Sequence, residues 1–323
     1  MRIYNASLIE AMCVSIEECA RRLFSQQIPQ TLYHYTDIEG AKGIIQSNAL
    51  WGTCLANQRK DASELQDAIQ VIREEIDTVV NKGLPPLSKA IFESISVVLD
   101  SRRKWSFITC FCGDEYSQHH WCKHGKYRFG ISSSQLLNLR CGDYKATHWL
   151  QPVIYHRETL RHAIRDCFEQ IVAAQTQYIT GDYGGPWMPA MSPPRTRDLA
   201  QLLLRVAASF KNEVFANDKE WRLFFCPNLA IGSTAPNMAD EDFEPYIKTD
   251  KVMHVELRLR QPFEFFLPPR PPVQLIKSVC QSPLHNEETE RETLNGLLRS
   301  YGAGVLCERT MPMDEKDQAA LRS

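Results

Sequence analysis

Leu32-Tyr33-His34-Tyr35-Thr36 brings an imidazole, a hydroxyl and two phenols together near the start of the chain. On an extended strand His34 and Thr36 point to one face, and Tyr33 and Tyr35 to the other. Two hydrogen-bonding side chains on one face suit a ribose or an amide. From periodicity the run reads first as an aromatic strand with one internally satisfied histidine, because aromatic residues favour strands. Much later, Asp218-Lys219-Glu220-Trp221-Arg222 leads into the apolar run Leu223-Phe224-Phe225. There Glu220 and Arg222 share a face and Trp221 turns away. A carboxylate at the mouth of an apolar strand stabilises a developing cation or accepts a proton. The alternative is a surface Glu–Arg pair, which contributes little. A third set is Cys110, Cys112, His119, His120, Cys122 and His124. Soft ligands at this density suit zinc, but the spacing matches no structural zinc pattern in which paired units recur. Cys110 and Cys112 also share a strand face, where thiols pack as small apolar groups. No GxGxxG follows a strand, and neither a Walker A loop nor a GxSxG elbow is present. Rossmann, P-loop and α/β-hydrolase chemistry therefore lose ground.

The elements that position these residues follow from periodicity. Residues 6–26 carry an amphipathic stripe that ends near Pro29. Thr31 to Thr36 is predicted as a strand, Ile38 to Ser47 as a helix and Leu50 to Leu55 as a second strand. A helix from Asp61 has a capping box at Ser63 and Gln66 and a terminating Gly83. Another spans Leu87 to Ser101. Trp105 to Cys112, Tyr127 to Ser132 and Trp149 to Tyr155 read as strands, and Thr159 to Gln175 as a helix. Residues 178–197 read as a loop rich in Gly, Pro and aromatic residues, of the length used by lids and binding segments. Helix resumes over Asp198 to Asn212. Strands are predicted at Glu220 to Cys226, Val252 to Leu259, Glu264 to Leu267 and Val273 to Cys280. A helix at Glu287 to Tyr301 and a strand at Gly304 to Arg309 close the pattern. Early helices followed by many strands indicate an α+β fold.

Composition bounds the class. The 323 residues carry 37 basic and 39 acidic side chains, so net charge draws the chain to neither nucleic acid nor an anionic membrane. Apolar residues make up 43%, enough for a sizeable core. The 11 cysteines are odd in number and scattered, as free thiols are in a reducing compartment. Met1 to Ala20 lacks the basic head and apolar run of a signal peptide. No membrane-spanning run occurs, so a cytoplasmic location is expected. The expected layout is an N-terminal helix over 1–30, one α+β domain over 31–312 and a polar tail over 313–323.

Several short segments, taken in order, resemble a widespread bacterial family of uncharacterised domains. They are Leu32 to Thr36, Gly43-Ile44-Ile45, Leu50-Trp51-Gly52-Thr53, Asp61-Ala62-Ser63-Glu64, a strand–WxxxG segment with Trp121 and Gly125, and Glu220-Trp221-Arg222. The resemblance covers most of 31–309. It departs where Gln58, Arg59 and Lys60 separate Asn57 from Asp61, and where cysteines follow residue 105. The layout is in turn similar to the ADP-ribosyltransferase superfamily of the His–Tyr–Glu type. That likeness implies a central split antiparallel or mixed sheet flanked by helices, with NAD as substrate and no metal. His34 would hold the adenosine-side ribose with support from Thr36. Trp51 or Tyr35 would stack on nicotinamide, and Glu220 would bond the other ribose. Thr53 and Arg222 complete the implied NAD-binding set. The implied activity is transfer of ADP-ribose to a protein or nucleic-acid acceptor by a toxin, effector or phage-defence component. An antitoxin or immunity protein would then be a partner, and no membrane would be involved. Two other readings stand beside it: a non-catalytic nucleotide- or partner-binding module, and a metal-dependent nuclease or hydrolase built on the Cys/His set.

Overall fold

Helix α1 runs through residues 17–23 and turns Cys19 and Ala20 inward. β1 (Thr31–Thr36), α2 (Ile38–Ser47) and β2 (Ala49–Cys54) follow, then α3 (Ala62–Asn81) and α4 (Pro86–Arg103). Gly83, at φ 84°, stops α3 in the left-handed conformation that glycine tolerates. Pro86 opens α4, where its missing N–H costs nothing. Next come β3 (Phe107–Cys112), α5 (Gln118–His124), β4 (Tyr127–Ser132), α6 (Ser133–Leu136), β5 (Thr147–Pro152), α7 (Arg157–Thr180) and α8 (Pro193–Ala208). A 3₁₀ turn (Glu213–Asp218) leads into β6 (Glu220–Cys226), and β7 (Tyr246–Ile247), β8 (Met253–Arg258), β9 (Ile276–Gln281), α9 (Glu288–Ser300) and β10 (Cys307–Arg309) follow among the described residues. This computed structural model describes residues 17–47, 49–55, 62–84, 86–103, 106–115, 117–137, 147–180, 193–226, 246–247, 253–258, 276–283, 285, 287–301 and 304–309.

The strands form one ten-stranded mixed sheet, mostly antiparallel, with β10 parallel to β9. Its centre is β3, whose sequence FITCFC is apolar on both faces. β6 pairs along all of β3, from Phe107↔Phe225 to Cys112↔Glu220. The other edge of β3 is divided. β1 takes its end through Tyr33↔Cys112, and β2 takes its start through Thr53↔Ile108 and Cys54↔Phe107. The sheet therefore forks between β1 and β2, and a side chain bridges each prong. His34 Nδ1 donates to the Cys110 carbonyl at 2.9 Å, and Thr109 Oγ1 donates to the Trp51 carbonyl at 3.1 Å. These bonds occupy the stretch where the backbone ladder is interrupted.

Both faces of the sheet are covered. On one face Leu32, Phe111, Phe129, Trp221 and Leu223 meet Ile44 and Ile45 of α2 and Leu294 and Leu298 of α9. On the other, Ile108 and Phe224 pack against α3, α4, α7 and α8 through a larger cluster that includes Phe92, Phe168 and Leu203. Glu75 of α3 is buried and clasped by Arg161 and Arg165 of α7, which ties those two helices together. Among the described residues, no helix is long and apolar enough to cross a membrane.

The expected strands at 31–36, 127–132 and 220–226 and the helix at 38–47 have the predicted bounds. Other bounds shift: the helix expected at 198–212 lies at Pro193–Ala208, the helix expected at 159–175 at Arg157–Thr180 and the strand expected at 304–309 at Cys307–Arg309. The strand expected from Trp105 begins at Phe107, and the one expected at 149–155 lies at 147–152. The 178–197 segment is shorter than a long loop, because α7 continues to Thr180 and α8 begins at Pro193. Residues 181–192 between them lie outside the described residues, as do the strand expected at 264–267, the tail after 312 and most of the N-terminal stripe. The segment after β3 also contains a helix, α5, that periodicity did not reveal. Its seven residues are too few to show a stripe, and its start is marked only by Ser117, whose hydroxyl accepts from the His120 N–H.

Gly125, which ends α5, has φ 135°. A Cβ there would run into the Thr36 carbonyl group. Gly125→Ala combines left-handed strain with a backbone collision. It is expected to lower stability by roughly 3 kcal/mol or more, read as a reduced urea midpoint at unchanged slope.

Candidate functional site

Glu220 opens β6 immediately after Lys219, whose backbone is left-handed at φ 43° and ψ 46°. A non-glycine residue in that region costs of order 1–3 kcal/mol and persists only where its surroundings enforce it. Here the Lys219 carbonyl accepts from the Gly113 N–H at 3.0 Å, and its ammonium reaches Asp114 at 2.8 Å. The turn directs Glu220 into a buried ionic cluster. Lys211 Nζ lies 2.7 Å from Asp218 Oδ2 and 2.6 Å from Glu220 Oε2. Arg222 Nε donates to Glu220 Oε1 at 2.7 Å. The Arg222 Nη1 donates to the carbonyls of Ala208 and Phe210 at the end of α8, where a cation is favoured. Exposure of the three central residues is small: 4% for Lys211, 1% for Asp218 and 5% for Glu220.

Burial alone would raise the Glu220 carboxyl, but the charges of Arg222 and Lys211 and their hydrogen bonds outweigh it. The carboxyl is held far below its usual range. Asp218 is likewise lowered, because the Lys211 bond and charge overcome its burial. Lys211 is raised, because both carboxylates overcome the cost of burying its ammonium. All three are therefore charged at neutral pH.

The same sheet face carries more polar groups. Cross-strand partners project to one face, and Tyr33, Cys112 and Glu220 are aligned across three strands. Tyr35 follows Tyr33 on that face. Its hydroxyl donates to the Glu115 carbonyl at 3.0 Å, and burial raises its phenol to about 12. Its ring lies 5.2 Å from His120 and 4.9 Å, edge-on, from Trp121. His120 bonds the Ser117 hydroxyl at 2.6 Å and is 5.3 Å from His124. His124 is exposed. Its pKa falls to about 4 through partial burial and the charges of His120, Lys123 and Lys211, with Glu220 opposing. It is neutral at physiological pH and lies within electrostatic reach of Lys211 and Glu220. Lys123, one residue earlier, lies 3.7 Å from Asp218 and 4.6 Å above the Phe215 ring.

His34 lies elsewhere. It is one residue out of phase with Tyr33, so it projects from the opposite face, edge-on to Phe111 at 5.9 Å. Its strand and that of Glu220 are separated by two strand spacings, about 10 Å, yet their side chains leave the sheet in opposite directions. Burial holds the imidazole below its ordinary value, and the bond to Cys110 only partly offsets this. Of the remaining implied residues, Thr36 follows on the prong carrying His34. Trp51 and Thr53 lie on the other prong, with the Trp51 ring beside Gly43. Arg222 is committed to Glu220 and the end of α8. By the pairing Thr53↔Ile108, the structure thus brings Tyr35, Trp51, Thr53, Arg222 and Glu220 to one face of the sheet and leaves His34 and Thr36 on the other.

Sequence reasoning missed Lys211 as the partner of Glu220, because a single lysine after an apolar helix carries no pattern. Tyr155, whose hydroxyl accepts from the Glu220 N–H at 2.7 Å, was missed for the same reason. Among the described residues, no group of three His, Cys, Asp or Glu side chains is placed to share a metal ion. Cys110 and Cys112 are raised by burial, Cys112 to about 11, as packed thiols are. Comparison with protein-family models, with curated proteins and with solved structures gives no match to this chain.

Proposed function

We infer that the chain acts on NAD by cleaving the nicotinamide–ribose bond, and that it does so on the Glu220 face of the sheet. The observation that carries this reading is the joint placement of Glu220, held ionised at neutral pH by Arg222 and Lys211, with Tyr35, His120 and His124, the last of which reaches solvent. Departure of nicotinamide leaves oxocarbenium character on the ribose. A fixed carboxylate with few water neighbours stabilises that charge. Beyond the bonds from Lys211, Arg222 and the Cys110 thiol, the carboxylate keeps one lone-pair site, which a ribose hydroxyl can use. Neutral His124 is placed to accept a hydrogen bond from a second hydroxyl, and the Tyr35, Trp121 and His120 rings give an aromatic wall. The histidine of the His–Tyr–Glu set is then on α5 rather than β1, and His34 keeps the fork closed. The ADP-ribosyltransferase-like assignment of the fold belongs to this reading, with the forked sheet in its support. The role as a toxin, effector or defence component, acting in a reducing cytoplasm, belongs to it too. The acceptor is a protein, a nucleic acid or water.

The engagement of both Glu220 oxygens favours a second reading, in which the ionic cluster only knits α8 to β6 and the chain binds a nucleotide without turnover. Release of nicotinamide from NAD separates the two. Wild-type protein is expected to release it, and His124→Ala, an exposed change that spares the fold, to slow release by about tenfold or more. Binding of NAD by calorimetry without any release supports the second reading. Absence of both overturns the two together.

A further inference from the structure

Glu220 is nearly closed off from solvent, and the 3₁₀ turn Glu213–Asp218 passes beside it. Lys211 Nζ, which bonds Glu220, stands 5.0 Å over the Phe215 ring of that turn. Lys123 Nζ of α5 stands 4.6 Å over the same ring. The turn has a fixed end and a loose end. Asp218 is its buried residue, held by Lys211 and by the Cys112 thiol, which donates to its carbonyl at 3.4 Å. Lys219, just beyond, is tied to Gly113 and Asp114. By contrast Glu213, Val214, Ala216 and Asn217 are exposed, and Phe215 is half-buried. At the loose end the Asn212 side chain accepts from the Val214 N–H at 3.1 Å. Glu213 also meets His156 at 3.3 Å, a contact between two largely exposed side chains that contributes little. Short 3₁₀ turns have poorer hydrogen bonds than an α-helix, and a segment with few buried apolar contacts opens readily.

We propose that Glu213 to Asn217 form a lid over the Glu220 cluster, with Phe215 as its plug and with hinges at Asn212 and just before Asp218. The lid rests on the reading that the Glu220 face acts on NAD, and it supplies the access that a buried carboxylate needs. Closed, the ring lies against both ammonium groups and keeps water from them. Open, it leaves Lys211, and the Glu220 carboxylate bonded to it, facing solvent. Asp218 does not travel, because Lys211 and Cys112 hold it in place. The ion cluster therefore stays assembled while the ring swings out. Reclosure over a bound nicotinamide ribose shuts water out again, as lids on other sites do.

Two measurements on the full-length chain test this, both with exposed Cys122 removed as Cys122→Ser. In the first, Val214→Cys carries a trifluoromethyl label, placed by peptide mapping, and is followed by fluorine NMR without ligand. Exchange between two environments is expected in the folded protein. In the second, His156→Cys and Glu213→Cys are joined by a short bis-maleimide. The link is expected to slow nicotinamide release from NAD by about tenfold or more relative to the same variant unlinked. Adding Phe215→Ala, which removes the plug, should restore release in the linked chain. A linked chain as fast as the unlinked one overturns the proposal. So does a linked Phe215→Ala chain that stays slow, or a label that reports a single environment. If no form of the protein releases nicotinamide, the NAD reading fails by itself, and the fluorine exchange still decides the lid.

Discussion

Lys211→Met is expected to destabilise the protein by roughly 3–5 kcal/mol, as removal of one member of a buried ion group does. Lys211 bridges Asp218 and Glu220 in the cluster described above. Without it, Glu220 retains Arg222, and Asp218 retains the longer contact from Lys123. The acid limb of the stability curve carries the same information. Asp218 and Glu220 have folded values below their ordinary 3.8 and 4.5. Their stabilisation is fully present above those values and is lost as pH falls below them. Lys211 has the opposite sign, with stabilisation present below its ordinary 10.5 and lost as pH rises through its raised folded value. In Lys211→Met the carboxylates lose the cation that lowered them, so acid unfolding should begin at a higher pH. Urea midpoints measured across the acid range for wild type and variant check both statements. Equal stability at neutral pH would mean that the cluster is already hydrated.

The second large effect is a divergence between His34 and Glu220. On the face assignment above, Glu220→Gln should lower nicotinamide release by roughly 10²–10³, the usual cost of one electrostatic contact to a transition state. KM should change little, because the neutral amide keeps the shape of the site. His34→Ala should leave the rate per folded molecule near that of wild type. It should instead lower stability by about 1–3 kcal/mol, because the Cys110 carbonyl loses its donor at the fork. A rate loss at His34 equal to that at Glu220 would return the working site to the fork. Kinetics are compared at equal folded fraction, with urea unfolding of each variant as the guide.

The local elements were legible because their signals are local. The aromatic and β-branched residues of β1 and the alternation in β6 identify strands, and they also identify which residues share a face within each strand. The relation between the two strands was not legible. It depends on the register of β3 against both neighbours, Tyr33↔Cys112 on one edge and Cys112↔Glu220 on the other. A slip of one residue at either edge would put His34 and Glu220 on the same face, and nothing in either motif determines that choice. The fork was hidden for a related reason, since pairing of one β3 edge with two different strands is a property of the assembled sheet. α5 was obscured by brevity, yet it supplies His120 and His124.

The central place of β3 also has a consequence during synthesis. β1 and β2 precede it, so one edge can be satisfied as soon as β3 emerges from the ribosome. The partner of its other edge, β6, is translated more than a hundred residues later. Through that interval an apolar strand exposes unpaired N–H and C=O groups, the template that recruits foreign chains. Heavy dependence on a nascent-chain chaperone is expected, and truncated products that stop before β6 should accumulate as aggregates.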